Sequence, residues 1–367
     1  MKKILILANN DVGLYNFRKE LIERLLTDGF QVFIALPYGE RVEYFNKLGC
    51  IFFNTPISRR GKNIISDIKL LLTYLKIVED VNPDLILTYT VKPNIYGGII
   101  ASIKKIPFIT NITGLGSSIE SGKFIRYLTL ILYKLALRKA SCVFFQNSEN
   151  ENFMKQNNVV KGRYRLVPGS GVNTAIFQYL PYPQDEVVTF AFISRIMREK
   201  GIDEYIEAAR IVKSKHKNVE FLVIGPIEEN YEVILAKNHE SKIINYVGNV
   251  DDVRKYLKII NCIIHPTYYP EGMSNVLLES AACGRPAITT NRSGCREIVE
   301  DGVTGFLVEP KNVTQLVSKI EQFLKMSIEQ QREMGRKARN KVEKEFNREF
   351  VVNAYMEEIA LSLKLKK

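Results

Sequence analysis

Short apolar runs alternate along this chain with longer stretches whose apolar positions recur at helical spacing. "KKILILAN" opens as a buried strand, and "VGLYNFRKELIERLLTDGF" follows with a helical period and a glycine stop. "QVFIALP", "CIFFNTP", "DLILTYT", "IPFITNIT", "CVFFQNS" and "YRLVPG" repeat the strand pattern, with helical stretches between them. Strands that are apolar throughout, joined by helices, belong to parallel sheets covered on both faces. Around "VPGSGVNTAIFQYLPYPQDE" glycine, proline and polar residues crowd together, and the alternation then restarts with "VVTFAFISR", "VEFLVIGP", "IINYVGNV", "CIIHPT", "PAITTN" and "GFLVEP". The pattern predicts two Rossmann-like, doubly wound α/β domains, residues 1–180 and 181–345. A long terminal helical stretch, roughly 327–366, is punctuated by Phe346, Phe350 and Tyr355. Ligands of such folds bind at the carboxyl ends of the strands, in this case in a cleft between two domains.

Composition narrows the class. With 46% hydrophobic and 25% charged residues in 367, the chain has the make-up of an ordinary α/β protein. Five cysteines without metal-ligand spacing and three histidines argue against structural zinc, and charges interrupt every apolar run before it reaches membrane-spanning length. A reducing cytoplasm is the expected setting. The net charge of +12 is uneven: through residue 180 there are 24 Lys and Arg against 13 Asp and Glu, and beyond it 28 against 27. A basic first half suits a phosphorylated substrate, an anionic membrane face or a nucleic acid. No interleaved aromatic platform supports the last of these.

Two loops carry the chemistry. "AFISRIMREKGIDEYIEAAR" leaves a strand with Arg195 and Lys200 ahead of a helix, both placed to reach one anion; two ordinary surface cations fit the same spacing. "HPTYYPEGMSNVLLESAACG" runs from a strand into a helix that Ser274 or Asn275 could cap. Gly272 and the amides of Met273, Ser274 and Asn275 lie at its start, a place that favours phosphate. Glu271 precedes that helix and Glu279 lies about one turn inside it. A phosphate at the helix start could thus have one carboxylate on each side, with Arg195 and Lys200 as counter-charges.

"EGMSNVLLE" matches the E-x7-E signature of retaining glycosyltransferases of the GT-B fold, particularly family 4. "SRIMREKGIDEYIEA" resembles that family's diphosphate-binding segment, "ACGRPAITTNRSGCREIVEDGVTGFLVEP" its usual continuation, and "VPGSGVNTAIF" its interdomain stretch. The resemblance implies that Glu271 meets the donor hexose, Glu279 the ribose, and Arg195 and Lys200 the diphosphate. It places the nucleotide base in the loop around Gly248, Asn249 and Val250, and implies a metal-free reaction with no cofactor beyond the nucleotide-sugar donor, a UDP-sugar by resemblance. It also implies a terminal helix, about 346–367, that packs on the first domain. The chain departs from the family at Thr113, where many members carry a histidine. That casts doubt on any reaction relying on such a histidine, whereas front-face displacement needs no protein base.

The first domain is the expected acceptor side. Gly13 and Arg18 stand at a strand-to-helix junction, able to meet donor phosphate or acceptor. Lys92, Asn94, Thr113 and Gly114 are candidates for the acceptor rim, though ordinary turn chemistry explains them equally. "TYTVKPNIYGG" and "NITGLGSS" are similar to segments of bacterial capsule, O-antigen and lipid-linked oligosaccharide enzymes. "GKFIRYLTLILYKLALRKASC" predicts a basic amphipathic helix over 122–139 that can lie on an anionic leaflet. The expectation is therefore a sugar transferase at the inner face of the cell membrane, acting on a polyprenyl-diphosphate-linked saccharide. A soluble acceptor is the alternative.

Overall fold

The computed structural model describes residues 1–57, 64–115 and 123–364. The chain divides into two compact units. The first takes the described part of Met1–Ser170, together with Pro270–Met273 and the chain from Glu349 on; the second takes Gly171–Tyr269 and Ser274–Arg348.

In the first unit seven parallel strands run β1 (Lys3–Leu7), β2 (Gln31–Leu36), β3 (Ile51–Asn54), β4 (Leu85–Tyr89), β5 (Phe108–Ile112), β6 (Cys142–Phe145) and β7 (Tyr164–Leu166), in spatial order β3-β2-β1-β4-β5-β6-β7. Between them lie α1 (Asp11–Thr27), α2 (Val42–Lys47), α3 (Ile64–Val81), a π-turn (Pro93–Gly97) leading into α4 (Gly98–Lys104), α5 (Lys123–Leu137) and α6 (Ser148–Gln156). Successive residues of a strand face opposite ways, so β1 sends Leu5 and Leu7 into one core and Ile4 and Ile6 into another. Each face needs its own helical cover, which is why the strands read as unbroken apolar runs.

The second unit has six parallel strands, β8 (Val188–Ile193), β9 (Val219–Ile224), β10 (Asn245–Gly248), β11 (Cys262–His265), β12 (Ala287–Thr290) and β13 (Gly305–Val308), in order β10-β9-β8-β11-β12-β13. Its helices are α7 (Ile202–Lys215), α8 (Glu232–Glu240), α9 (Arg254–Leu257), α10 (Asn275–Ala282), α11 (Val313–Leu324) and α12 (Ile328–Glu345). The last helix, α13 (Arg348–Lys364), contributes Val351, Ala354, Tyr355 and Ile359 to the core of the first unit.

Two boundaries differ from the sequence expectation. Residues 171–180 go with the second unit, because the Arg339 guanidinium gathers the carbonyls of Thr174, Phe177 and Ala282. One stretch by its pattern, residues 327–366 hold two helices, the second of them the terminal helix that the resemblance put at about 346–367. No glycine or proline lies at the break, and the stretch's glycine, Gly335, sits inside α12. The break comes from a distant strand-like contact: the Val172 N–H donates to the Phe346 carbonyl (2.8 Å), and the Arg348 N–H donates to the Val172 carbonyl (3.0 Å). Phe350, one of the three aromatics in that stretch, is 48% exposed, while Phe346 and Tyr355 are buried.

Candidate active site

In a parallel sheet the strand order reverses at a switch point, and loops leaving the two strands there part to leave a crevice. In the second sheet the switch lies between β8 and β11. The loops leaving those strands are the two singled out from sequence, Ser194–Lys200 and Pro266–Ser274.

The first loop is fixed by glycines. Beyond β8 the Ser194 carbonyl lies so close to Gly225 (φ +142°) that no Cβ fits there. A single turn of 3₁₀ helix over Arg198–Lys200 then closes on Gly201 at φ +82°, with its α-carbon against the Pro266 carbonyl. The Tyr268 N–H donates to the Glu199 carbonyl (2.9 Å), which joins the two loops. As a result Tyr269 lies beneath both cations: Lys200 Nζ is 4.8 Å and the Arg195 guanidinium 5.4 Å from its ring centroid. Arg195 also donates to Glu228 at 2.9 Å, and Lys200 is only 7% exposed. Tyr269 was missed from sequence, although an aromatic just before "PEG" in a strand-end loop was the available signal. Gly201→Ala combines a disfavoured left-handed backbone with overlap on the Pro266 carbonyl. It should cost at least ~2 kcal/mol of stability, measured by urea unfolding.

Helix α10 begins where expected, but its start differs in detail. Ser274 occupies the cap position, yet its buried hydroxyl makes no capping bond, and its N–H donates to the Gly294 carbonyl (2.8 Å). That amide, one of the three expected to face a phosphate, is therefore engaged. Glu297 shapes the accepting loop by taking hydrogen bonds from Ser293 Oγ (3.0 Å) and the Gly294 N–H (2.7 Å). The donors left for an anion are the first-turn amides of Asn275, Val276 and Leu277, which by helix geometry have no partner within the helix.

Glu279 lies within α10 and keeps partial solvent access, but burial pushes its carboxyl up to about 7, against the opposing pull of Arg348. The β10 strand ends at Gly248 (φ +91°), followed by exposed Asn249 and half-buried Val250.

Glu271 and Gly272 belong to the first unit. Asn147 caps α6 by accepting from the Asn150 N–H (2.8 Å), and its amide nitrogen donates to the carbonyls of Glu271 (3.1 Å) and Gly272 (2.6 Å). Gly272 lies so close to Gln146 and the Thr113 carbonyl that a side chain could not fit, and Gly114 (φ +139°) lies against the same segment. Met273 is buried beside Gly169. Thr113 and Gly114 are thus neighbours of the Glu271 loop. Sequence reading missed Asn147, because a cap and a distant clamp look alike in one dimension. Asn147→Asp keeps the cap but sets a carboxylate against two carbonyls. Transfer should fall at least ~10-fold in a steady-state assay through displacement of Glu271.

Other first-unit candidates are committed elsewhere. The Gly13 N–H is taken by the Asn10 side chain at 2.5 Å. Arg18 is 5% exposed, its guanidinium over the Tyr89 (4.8 Å) and Tyr355 (5.7 Å) rings. Asn94 is fully buried and donates to the Asn111 carbonyl (2.8 Å). These contacts make Arg18 and Asn94 core residues rather than parts of an acceptor rim. Lys92 pairs with Asp67 at 2.7 Å. Of "NITGLGSS", the residues after Leu115 lie outside the described part, as does residue 122 at the start of the expected amphipathic helix.

The family model for glycosyl transferases group 1 matches residues 176–341, and that for glycosyl transferase 4-like proteins matches residues 3–147. The chain belongs to this glycosyltransferase family. The glycosyltransferase is 25% identical over 339 residues to the N,N'-diacetylbacillosaminyl-diphospho-undecaprenol alpha-1,3-N-acetylgalactosaminyltransferase of Campylobacter jejuni, covering 88% of this chain and 89% of the relative. It is 29% identical to the capsular polysaccharide biosynthesis glycosyltransferase CapM of Staphylococcus aureus, covering 90% of each. Its fold matches Anabaena Alr3699/HepE, solved with UDP and glucose, at a TM-score of 0.78 and 18% identity over 99% of this chain and 100% of that one. The fold is therefore GT-B.

Proposed function

We propose that this glycosyltransferase moves a hexose or N-acetylhexosamine from a UDP-sugar to a polyprenyl-diphosphate-linked saccharide in surface-polysaccharide synthesis, with retention at the anomeric carbon. The observation that carries the reading is the pairing of Arg195 and Lys200 on Tyr269, in the loops at the switch point of the second sheet. As the bond from the anomeric carbon to the donor phosphate breaks, negative charge grows on the leaving diphosphate. Two fixed cations and the first amides of α10 stabilise that charge more than they stabilise the intact donor. The acceptor hydroxyl attacks from the same face, and its proton passes to the departing phosphate oxygen. This scheme needs no protein base and no metal. Glu279 takes the ribose, Glu271 the hexose, and Gly248–Val250 the base.

The acceptor reading rests on the relatives named above, one of which acts on a diphospho-undecaprenol-linked sugar. Among the described residues no helix is long and apolar enough to cross a membrane. A membrane-borne acceptor is then met at the surface, at the inner leaflet. Exposed Tyr127, Leu128 and Leu135 on α5, beside exposed Lys134 and Arg138, support that contact. The test is a thermal-shift panel of UDP-, GDP- and ADP-sugars, followed by transfer to undecaprenyl-diphosphate and free saccharide acceptors. Stabilisation by UDP-sugars with transfer only to the lipid-linked acceptor is expected. Transfer to free saccharide at equal kcat/KM would overturn the acceptor assignment.

A further inference from the structure

At the edge of the first sheet opposite the Thr113 end, where β5 and β6 begin, lies a cavity of about 280 Å3. Its polar lining is Ser102, Lys105, Lys139, Ser141 and Ser362, and it holds no acidic residue. The Ser102 hydroxyl is buried without a hydrogen-bond partner among the described residues. Among the described residues Lys139 Nζ reaches the Ser102 carbonyl alone, at 3.5 Å, whereas neighbouring Lys104 is paired with Glu79 at 2.7 Å. Lys105 adopts a left-handed backbone (φ +56°) at the end of α4, which turns the chain around the cavity mouth. Two exposed cations, Lys105 and Lys139, beside Ser102, Ser141 and Ser362 around a space of this size suit a phosphate-type anion.

Its position selects the source of that anion. The cavity lies between the ends of α4 and α5. The same two helices expose Ile103 (69%) and Leu135 (57%), and α3, packed on α4, exposes Ile65, Ile68 and Leu72. Apolar side chains beside cations on adjacent helices fit a bilayer interface. We propose that this cavity holds the phosphate of an anionic phospholipid headgroup, with the exposed apolar side chains beside it in the acyl boundary. The proposal rests on the membrane-surface reading above and adds to it a specific lipid site, at the end of the first sheet where β5 and β6 begin.

Surface potential acts on every exposed cation alike, about fivefold in partition per charge, so removing any two lysines should weaken binding about 25-fold. A built headgroup site distinguishes which two are removed. The measurement is flotation of the full chain with vesicles of phosphatidylcholine alone or mixed with phosphatidylglycerol. Three variants are compared: Lys105→Ala/Lys139→Ala in the cavity, Lys69→Ala/Lys134→Ala outside it, and Ser362→Leu, which fills the cavity without changing charge. Melting temperatures confirm that each is folded. The cavity double should bind phosphatidylglycerol vesicles at least tenfold more weakly than the control double. Ser362→Leu should lose at least fivefold on these vesicles and nothing on phosphatidylcholine. Equal losses in the two doubles, or unaltered binding by Ser362→Leu, would overturn the lipid site. Stabilisation by inorganic phosphate that depends on Lys105 and Lys139, with the doubles equal on vesicles, assigns the cavity to a soluble phosphate and also overturns it. Wild-type chain that binds neither vesicle defeats the membrane reading itself, a separate failure.

Discussion

Lys200→Ala should lower kcat/KM for sugar transfer by at least ~100-fold, about 2.7 kcal/mol of transition-state stabilisation. Lys200 is almost wholly covered and held over the Tyr269 ring, so its charge is fixed in place before the donor arrives. A fixed cation does not reorganise as the diphosphate departs, and its effect is largest where water is excluded. Arg195 should matter less, since it is more exposed and shares its charge with Glu228. Lys200→Met serves as the control for packing. It keeps an unbranched chain on Tyr269 and removes only the charge. Both variants should lose transfer while unfolding in urea near the wild-type midpoint. Near-normal kcat/KM in both would remove Lys200 from the reaction.

Glu279→Ala should abolish measurable transfer and raise the donor KM, by removing the carboxyl assigned to the ribose. The same carboxyl makes a pH-dependent prediction. Burial raises it from 4.5 to about 7, so the folded state holds its proton more tightly than the unfolded chain does. Stability from this group is complete below about pH 4.5 and is lost as pH rises through about 7. Glu279→Gln does not titrate. It should gain about 1–3 kcal/mol over wild type between pH 5 and pH 8 in urea unfolding, the lower end reflecting residual solvent access. Donor binding should run the other way. Ribose hydroxyls donate most strongly to a carboxylate, so wild-type affinity should rise with pH through about 7. Glu279→Gln should show no such inflection.

Much of the architecture was legible because burial on both faces leaves a one-dimensional trace. Runs such as "ILIL" and "FLVI" have no polar position to turn toward water, and they alternate with amphipathic stretches, which suits parallel sheets under helices. The order of Arg195, Lys200, Glu271 and Glu279 along the chain was legible too, because each sits in a loop or within two turns of a helix start beyond a strand end.

Partners far apart in sequence left no such trace. Spacing allowed Arg195 and Lys200 to be separate surface cations; only the turn at Gly201, packed on the Pro266 carbonyl, sets both over Tyr269. The break in the terminal helical stretch left no local signal, because the groups that make it, at Val172, are more than 170 residues away. Arg18 and Asn94 read as polar residues near strand ends, yet Tyr355 of α13 and the Asn111 carbonyl draw them into the core. Sequence by itself determined which backbone segments are strands, helices and functional loops, since those depend on local propensity and on how many faces are buried. Which side chains meet, and that Glu279 holds its proton to about pH 7, was decided by tertiary structure alone. Contact and desolvation depend on the packing of distant segments.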